Sequence, residues 1–411
     1  MARTLYICYF GISEPLVQTQ VIPYLEELRK DGHEIELLTF EPGRMPPPST
    51  EQSLQRVLER LKGAGISWKK LVYHKRPSAL ATAYDILRGA LFVWNNIGRF
   101  DALHCRVHVP TLMAVLARRF SRRKPKIIFD IRGFVFEEYV DAGIWPKGGW
   151  LYRFAKRIEA WLMKEVDSFV VLTEKAREIL FPESRENGLD KFGRPVEVIP
   201  CCVDFEKRFA VLTSLSRDEQ RCRMSLNDRF VMAHVGALGG VYLTEEIADL
   251  VGAARSIRPN TFALFLTQSD PELIKPLLEA RGFTQDDYLV KKAPSADVPL
   301  LLSAADVGIS FVKATYATQS RSPTKIPEYL ACGLPIIANS GVGDVDALIK
   351  ENGVGVLLEN FDEPSYQAAI RTVLQMGDVS ERCRAVAKEQ FGLEAVGGTR
   401  YRRLYQKLLQ S

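Results

Sequence analysis

From residue 320 the chain reads Ser-Arg-Ser-Pro-Thr-Lys-Ile-Pro-Glu-Tyr-Leu-Ala-Cys-Gly-Leu-Pro-Ile-Ile-Ala-Asn. That one stretch gathers Ser320, Arg321, Ser322, Thr324, Lys325 and Glu328. Proline keeps a helix intact only within its first turn, so Pro327 puts Thr324 at the N-cap and Lys325 at the first helical position. Gly333 followed by Pro335 ends the helix after about two turns. The apolar run 334–338 then reads as a strand buried on both faces. Hydroxyls, free N–H groups, the positive end of a helix and a lysine suit a phosphate or diphosphate. Glu328, one turn further in, is placed to accept hydrogen bonds from sugar hydroxyls. An ordinary capped helix with a solvated Lys and Glu is the alternative reading of these residues.

A second chemically dense stretch is Phe129-Asp-Ile-Arg-Gly133, where Asp130 and Arg132 end a strand. Strand C-termini in open α/β sheets are where ligands bind. Asp130 and Arg132 line a cleft on this reading, or simply pair with each other. His104 and His108 are four apart without a helix around both, which makes no metal site. Asp344-x-Asp346 has the form of a metal-binding pair, but a helix start is the better reading of two carboxylates there. Gly11 follows the first strand alone, without a GxGxxG, so no dinucleotide is expected. It either lets the backbone approach a ligand or makes a tight turn.

The elements that must position these residues alternate strand and helix. Strands are expected near 4–10, 35–40, 68–74, 127–130 and 167–172, and again near 230–235, 262–267, 288–290, 306–311 and 354–358. Helices are expected at 17–30, 79–96 and 393–409, among others, and a surface loop at 42–49. Leu87, Leu91 and Trp94 on the helix 79–96 read as ordinary core positions. With 411 residues, 46% apolar and 26% charged, the chain is a soluble α/β protein too long for one core. Residues 1–205 hold 31 Lys and Arg against 25 Asp and Glu, a surplus of six within a net charge of +5. Much of it lies in the basic run from Arg118 to Lys126, which reads as a solvated helix end or a docking site for anionic lipid. No cue for nucleic acid accompanies it. Seven scattered cysteines without a CxxC pair indicate a reduced, cytoplasmic setting, with at most peripheral contact to the inner face of the plasma membrane. No signal peptide or membrane span is expected.

The stretch 320–339 resembles the donor-site signature of GT-B glycosyltransferases of the family-4 type, in which Pro-x-Lys-x-x-Glu-Tyr-x-Ala-x-Gly-x-Pro contacts a nucleotide sugar. The loop Asp130-x-Arg132-Gly resembles one in bacterial polysaccharide-assembly members. The resemblance implies two Rossmann-like domains facing across a cleft, with residues 1–200 on the acceptor side and 201–392 as the donor domain. A terminal helix at about 393–411 would pack back on the first domain. It implies a retaining, metal-independent glycosyltransferase with no cofactor, a UDP-sugar rather than a GDP-sugar donor, and a glycan or lipid-linked acceptor. Gly11 would face the sugar, and Gly236 would lie in the loop against the diphosphate. Where the family commonly has a sugar-touching histidine the chain has Arg106, which with Asp130 and Arg132 forms the expected catalytic group. The family's diphosphate-binding Arg and Lys are replaced by Ala237 and Tyr242, and its first acidic residue by Ser320. A sugar-nucleotide epimerase or hydrolase, or an inactive nucleotide-sugar-binding subunit, would use the same donor pocket.

Overall fold

The computed structural model describes residues 2–43, 48–74, 78–213 and 216–410. The chain forms two compact units, residues 1–200 with 397–411, and residues 201–396. Residues 44–47 of the loop expected at 42–49 lie outside the described residues.

The first unit is built on strands β1 (Arg3–Cys8), β2 (Glu34–Pro42), β3 (Ser67–Tyr73), β4 (Ala102–Arg106), β5 (Lys126–Asp130), β6 (Ser168–Val171) and β7 (Val196–Val198). They form one sheet in the order β3-β2-β1-β4-β5-β6-β7, parallel throughout. The second unit holds β8 (Phe230–Val235), β9 (Thr261–Leu266), β10 (Tyr288–Lys291), β11 (Val307–Ser310), β12 (Ile336–Asn339) and β13 (Gly355–Leu358). Their order, β10-β9-β8-β11-β12-β13, repeats the pattern, again all parallel. In each sheet the order reverses beside the first strand, between β1 and β4 and between β8 and β11. Chain leaving those strand ends diverges and opens a crevice.

Parallel sheets are covered by helices on both faces, so alternate residues of one strand enter different cores. In the second unit Val231, Ala233, Ile336 and Ala338 join one core, while Met232, Phe265, Ile309 and Ile337 join the other. That double burial is why the strands read as unbroken apolar runs.

The helices differ from a plain reading of the sequence in three places. The helix 17–30 is two, Pro15–Gln20 and Ile22–Lys30, broken at Val21. Pro23 has no N–H to continue the first helix and sits in the first turn of the second instead. The aromatic, acidic stretch after Gly133 is a short helix, Val135–Asp141. The terminal segment begins as a π-turn, Leu393–Gly398, before the α-helix Thr399–Gln410, consistent with the paired glycines 397 and 398.

The largest difference concerns the helix Ser78–Asn96. Its inward face is Ala81, Asp85, Gly89 and Val93, while Leu87, Leu91 and Trp94 are 66%, 56% and 47% exposed. This helix lies against the helix His108–Arg119, and a Cβ on Gly89 would sit 2.4 Å from the sulfur of Met113. Small residues permit that close approach, so they face inward and the large apolar side chains point away.

Candidate active site

In the second unit the crevice between β8 and β11 is bordered by the loop after β8 and by the segment from Phe311 to Lys325. The helix that follows, Lys325–Ala331, begins at Lys325 with Thr324 at its N-cap, although the Thr324 side chain makes no capping hydrogen bond. Tyr329, one turn on, fixes this helix. Its buried hydroxyl accepts from the Val235 N–H at 2.8 Å and donates to the Ile309 carbonyl at 3.1 Å, joining the helix to the ends of β8 and β11. Gly308 makes room, since a Cβ there would lie 2.4 Å from the Tyr329 ring. Gly308→Ala should therefore destabilise the second unit by about 1–3 kcal/mol through overpacking. Urea unfolding checks this, with a neutral result placing the Tyr329 anchor in error.

Residues i and i+4 share a helix face, so the Tyr329 anchor directs Lys325 toward the same strand ends. Lys325 is 4% exposed, and its Nζ has no hydrogen-bond partner among the described residues. It lies 4.7 Å over the Tyr242 ring. Gly236, at φ +115°, passes beside it, and a Cβ there would be 3.5 Å from Cε and Nζ. Burial drives the Lys325 amine down to about 7, with nearby Glu328 opposing the shift. His234 is buried in the same place. Its own burial, reinforced by the Lys325 charge, holds the imidazole well below its usual value. A desolvated amine without an acceptor is costly unless an anion completes it. This is the feature the sequence could not reveal, because Gly236 and Tyr242 lie more than eighty residues upstream of Lys325.

The other donor-side residues are placed as follows. Ser320 is buried and its hydroxyl donates to the Ala317 carbonyl at 2.7 Å. Ser322 Oγ accepts from the Cys201 N–H at 3.1 Å. Arg321 is half-buried, with its N–H donating to the Thr318 carbonyl. Glu328 Oε1 accepts from Arg208 at 2.5 Å, and Arg208 Nε also donates to the Ser295 carbonyl. Arg208 is a site residue the sequence reading missed; 120 positions separate it from Glu328 and no motif marks it. Asp346 accepts from the Gly341 N–H with both oxygens, at 3.0 and 3.2 Å, in the first turn of the helix Val345–Asn352, and Asp344 is that helix's N-cap position. The pair serves a helix start.

In the first unit, Gly11 packs closely against Glu41. A Cβ on it would lie 2.9 Å from Glu41 Oε2, and Glu41 Oε1 accepts from the Ile12 N–H at 2.9 Å. Arg106, Asp130 and Arg132 do come together, at the ends of β4 and β5, and they do so almost out of solvent. Arg106 is 2% exposed and Asp130 fully buried. Asp130 Oδ2 accepts from Tyr401 at 3.1 Å and lies 3.8 Å from Arg106 and from His104; Oδ1 is 3.6 Å from Arg132. Arg106 donates to the Gln20 carbonyl at 3.2 Å. Burial pushes the Asp130 carboxyl up, yet Arg132 and Arg106 outweigh it and hold it at about 2. Between Arg106 and His108 stands Val107 at φ +71°, a costly conformation for a β-branched residue. The Val107 N–H bonds the Asp130 carbonyl at 2.9 Å, and His108 Nε2 is 2.8 Å from Glu159. Anchors on both sides thus hold the strained turn.

The basic run is less free than its composition implies. Arg118 pairs with Asp167, Arg123 with Asp101 at 2.9 Å, and Lys124 donates to the Arg118 carbonyl at 2.6 Å. No helix among the described residues is long and apolar enough to cross a membrane.

Residues 17–188 match the model of the glycosyl transferase 4-like domain. Among solved structures, sucrose-phosphate synthase of Thermosynechococcus elongatus is similar at 15% identity over the whole of both chains, with a TM-score of 0.69. A glycosyltransferase of Rickettsia africae is similar at 14% identity and a TM-score of 0.69, covering all of this chain and 99% of that one. HepE of Anabaena, in complex with UDP and glucose, is similar at 14% identity and 0.67, covering 99% of this chain and all of the other. No curated protein matches the chain in sequence. Two parallel sheets of this order with these likenesses define the GT-B fold class. The chain therefore has the GT-B fold, and within its first unit residues 17–188 match the glycosyl transferase 4-like domain.

Proposed function

We propose that this protein is a glycosyltransferase that moves a sugar from a nucleotide-sugar donor, a UDP-sugar, to a glycan or lipid-linked acceptor, with retention and without a metal. The observation that carries the reading is Lys325, a buried amine with no acceptor, set beside Gly236 at the strand ends of the second unit. A diphosphate supplies the charge that this amine lacks. The UDP in the HepE structure supports the choice of nucleotide. When the donor C1–O bond breaks, its electron pair goes to the leaving diphosphate, and protonated Lys325 stabilises that charge as it grows. The acceptor oxygen bonds C1 on the face the diphosphate leaves, and its proton passes to the departing phosphate. Glu328, steadied by Arg208, accepts from the ribose hydroxyls. Arg321, Ser320, Ser322 and Thr324 shape the loop before Lys325. Arg106, Asp130 and Arg132 act as positioning residues that hold the strained turn at Val107 and the loop after β5.

Turnover of a panel of nucleotide sugars with lipid-linked and oligosaccharide acceptors tests this. Transfer from a UDP-sugar, unchanged by EDTA, is expected. Free sugar and UDP without transfer would indicate a hydrolase, an isomerised donor an epimerase, and binding without turnover an inactive subunit. An absolute Mg²⁺ or Mn²⁺ requirement lost on Asp346→Asn would contradict the metal-free route.

A further inference from the structure

The outward face of the helix Ser78–Asn96 carries Leu80, Tyr84, Leu87, Leu91 and Trp94, all between 47% and 72% exposed. At about 100° per residue these five lie within an arc of about 80° and run about 21 Å along the helix. Of these, Tyr84 is partly flanked, by the His74 ring at 5.1 Å and by Arg88, and a continuous exposed apolar stripe of that size is unusual for a monomer. The stripe does not end in polar surface. Trp94 Nε1 donates to the carbonyl of Phe120, itself 74% exposed, at the end of the helix His108–Arg119. That helix packs on its other side against Trp150–Glu165, whose outward positions include Trp150 at 80% and Phe154 at 54% exposure.

Charge decides what covers this surface. The three helices hold seven Lys and Arg and only three carboxylates, Asp85, Glu159 and Glu165. All three carboxylates are engaged by the protein: Asp85 by Tyr9 and His74, Glu159 by His108 and Lys156, and Glu165 by Trp161. By contrast Arg119, Arg153, Arg157 and Lys164 are exposed and form no ion pair among the described residues. An apolar stripe with interfacial tryptophans and a fringe in which seven cations outnumber three carboxylates fits a bilayer surface bearing anionic headgroups. A second copy fits poorly, because an isologous pairing sets the same cations against each other.

We infer that the first unit docks on anionic membranes through the outward face of the helices Ser78–Asn96 and Trp150–Glu165, with the leucine stripe inserted at the interface. These helices belong to the first unit and Lys325 to the second, so the test does not depend on the donor reading. The full chain is floated with vesicles of phosphatidylcholine, alone or with about a third phosphatidylglycerol. Binding to the anionic vesicles, weakened by salt and weak on phosphatidylcholine alone, is expected. Leu87→Ser with Leu91→Ser should weaken it by roughly tenfold to a hundredfold, and Arg153→Ala with Arg157→Ala by about tenfold. These exposed positions should leave thermal unfolding and UDP binding unchanged. Absence of binding to anionic vesicles at low salt would overturn the proposal. So would binding that the leucine pair does not affect, or a dimer in solution that Leu87→Ser with Leu91→Ser dissociates.

Discussion

Lys325→Met should weaken binding of a nucleoside diphosphate roughly a hundredfold and leave nucleoside binding nearly unchanged, while raising the stability of the empty protein. The first effect follows from removing the charged partner of a buried phosphate, a loss of about 2–5 kcal/mol. The second follows because a thioether of similar length rests in the same apolar space over Tyr242 without needing an acceptor. Protonation gives a signature. The Lys325 amine is held at about 7 by burial, against roughly 10.4 in an unfolded chain. Between those values the unfolded state binds more protons, so the contribution of Lys325 to stability rises with pH from about 7 to about 10. Below 7 the buried amine is charged in both states and its desolvation is fully felt. Unfolding of the Met variant should lack this rise. A Met variant that is less stable when empty, or that loses nucleoside and diphosphate binding equally, would show that the amine serves the fold rather than the phosphate.

The second large effect is expected at Asp130. Asp130→Ala leaves Arg106 and Arg132 without the carboxylate that faces them, and should destabilise the first unit by about 3–5 kcal/mol. Tyr401→Phe removes one hydrogen bond to the same carboxylate and should cost about 1 kcal/mol. Because Asp130 is held at about 2, below its unfolded value, its stabilising contribution is complete above about pH 4 and is lost as pH falls toward 2. Hydrogen exchange in β4 and β5 locates the damage. If exchange there is unchanged in Asp130→Ala, the cluster does not hold the strand ends. Arg106→Lys separates positioning from charge. It keeps the cation but loses the guanidinium whose Nη1 reaches both Gln20 and Asp130, so it should lower kcat with little change in donor KM. A wild-type kcat in that variant would remove Arg106 from the catalytic account.

Much of this was legible from the sequence, for reasons that also set its limits. Strands buried on both faces, such as β8 and β12, announce themselves as short apolar runs. Lys325 could be placed at a helix start from Pro327 and Gly333 alone. Its burial could not, because that depends on Gly236 and Tyr242 brought in by the sheet. The same holds for Arg208 on Glu328. The break at Val21 was written in Pro23 but hidden by the apolar spacing around it. The helix Ser78–Asn96 misled most directly. Periodicity gives an apolar face, but only packing says which face goes inward, and here Gly89 against Met113 turned the leucines outward. The basic run misled in the opposite sense, since half its charge is spent on Asp167, Asp101 and backbone carbonyls.

The central claim is that Lys325 awaits a diphosphate, and calorimetry of UDP binding tests it most directly. Titrations at about pH 8 in buffers of different ionisation enthalpy count the protons exchanged, at a pH where the diphosphate is already fully ionised. In the free protein Lys325 is then largely neutral. A phosphate beside it restores the charged amine, so binding should take up ~1 proton from solution. Uridine should bind with none, and Lys325→Met should bind UDP weakly and with none. Tight binding of UDP without proton uptake in the wild-type protein would contradict the account.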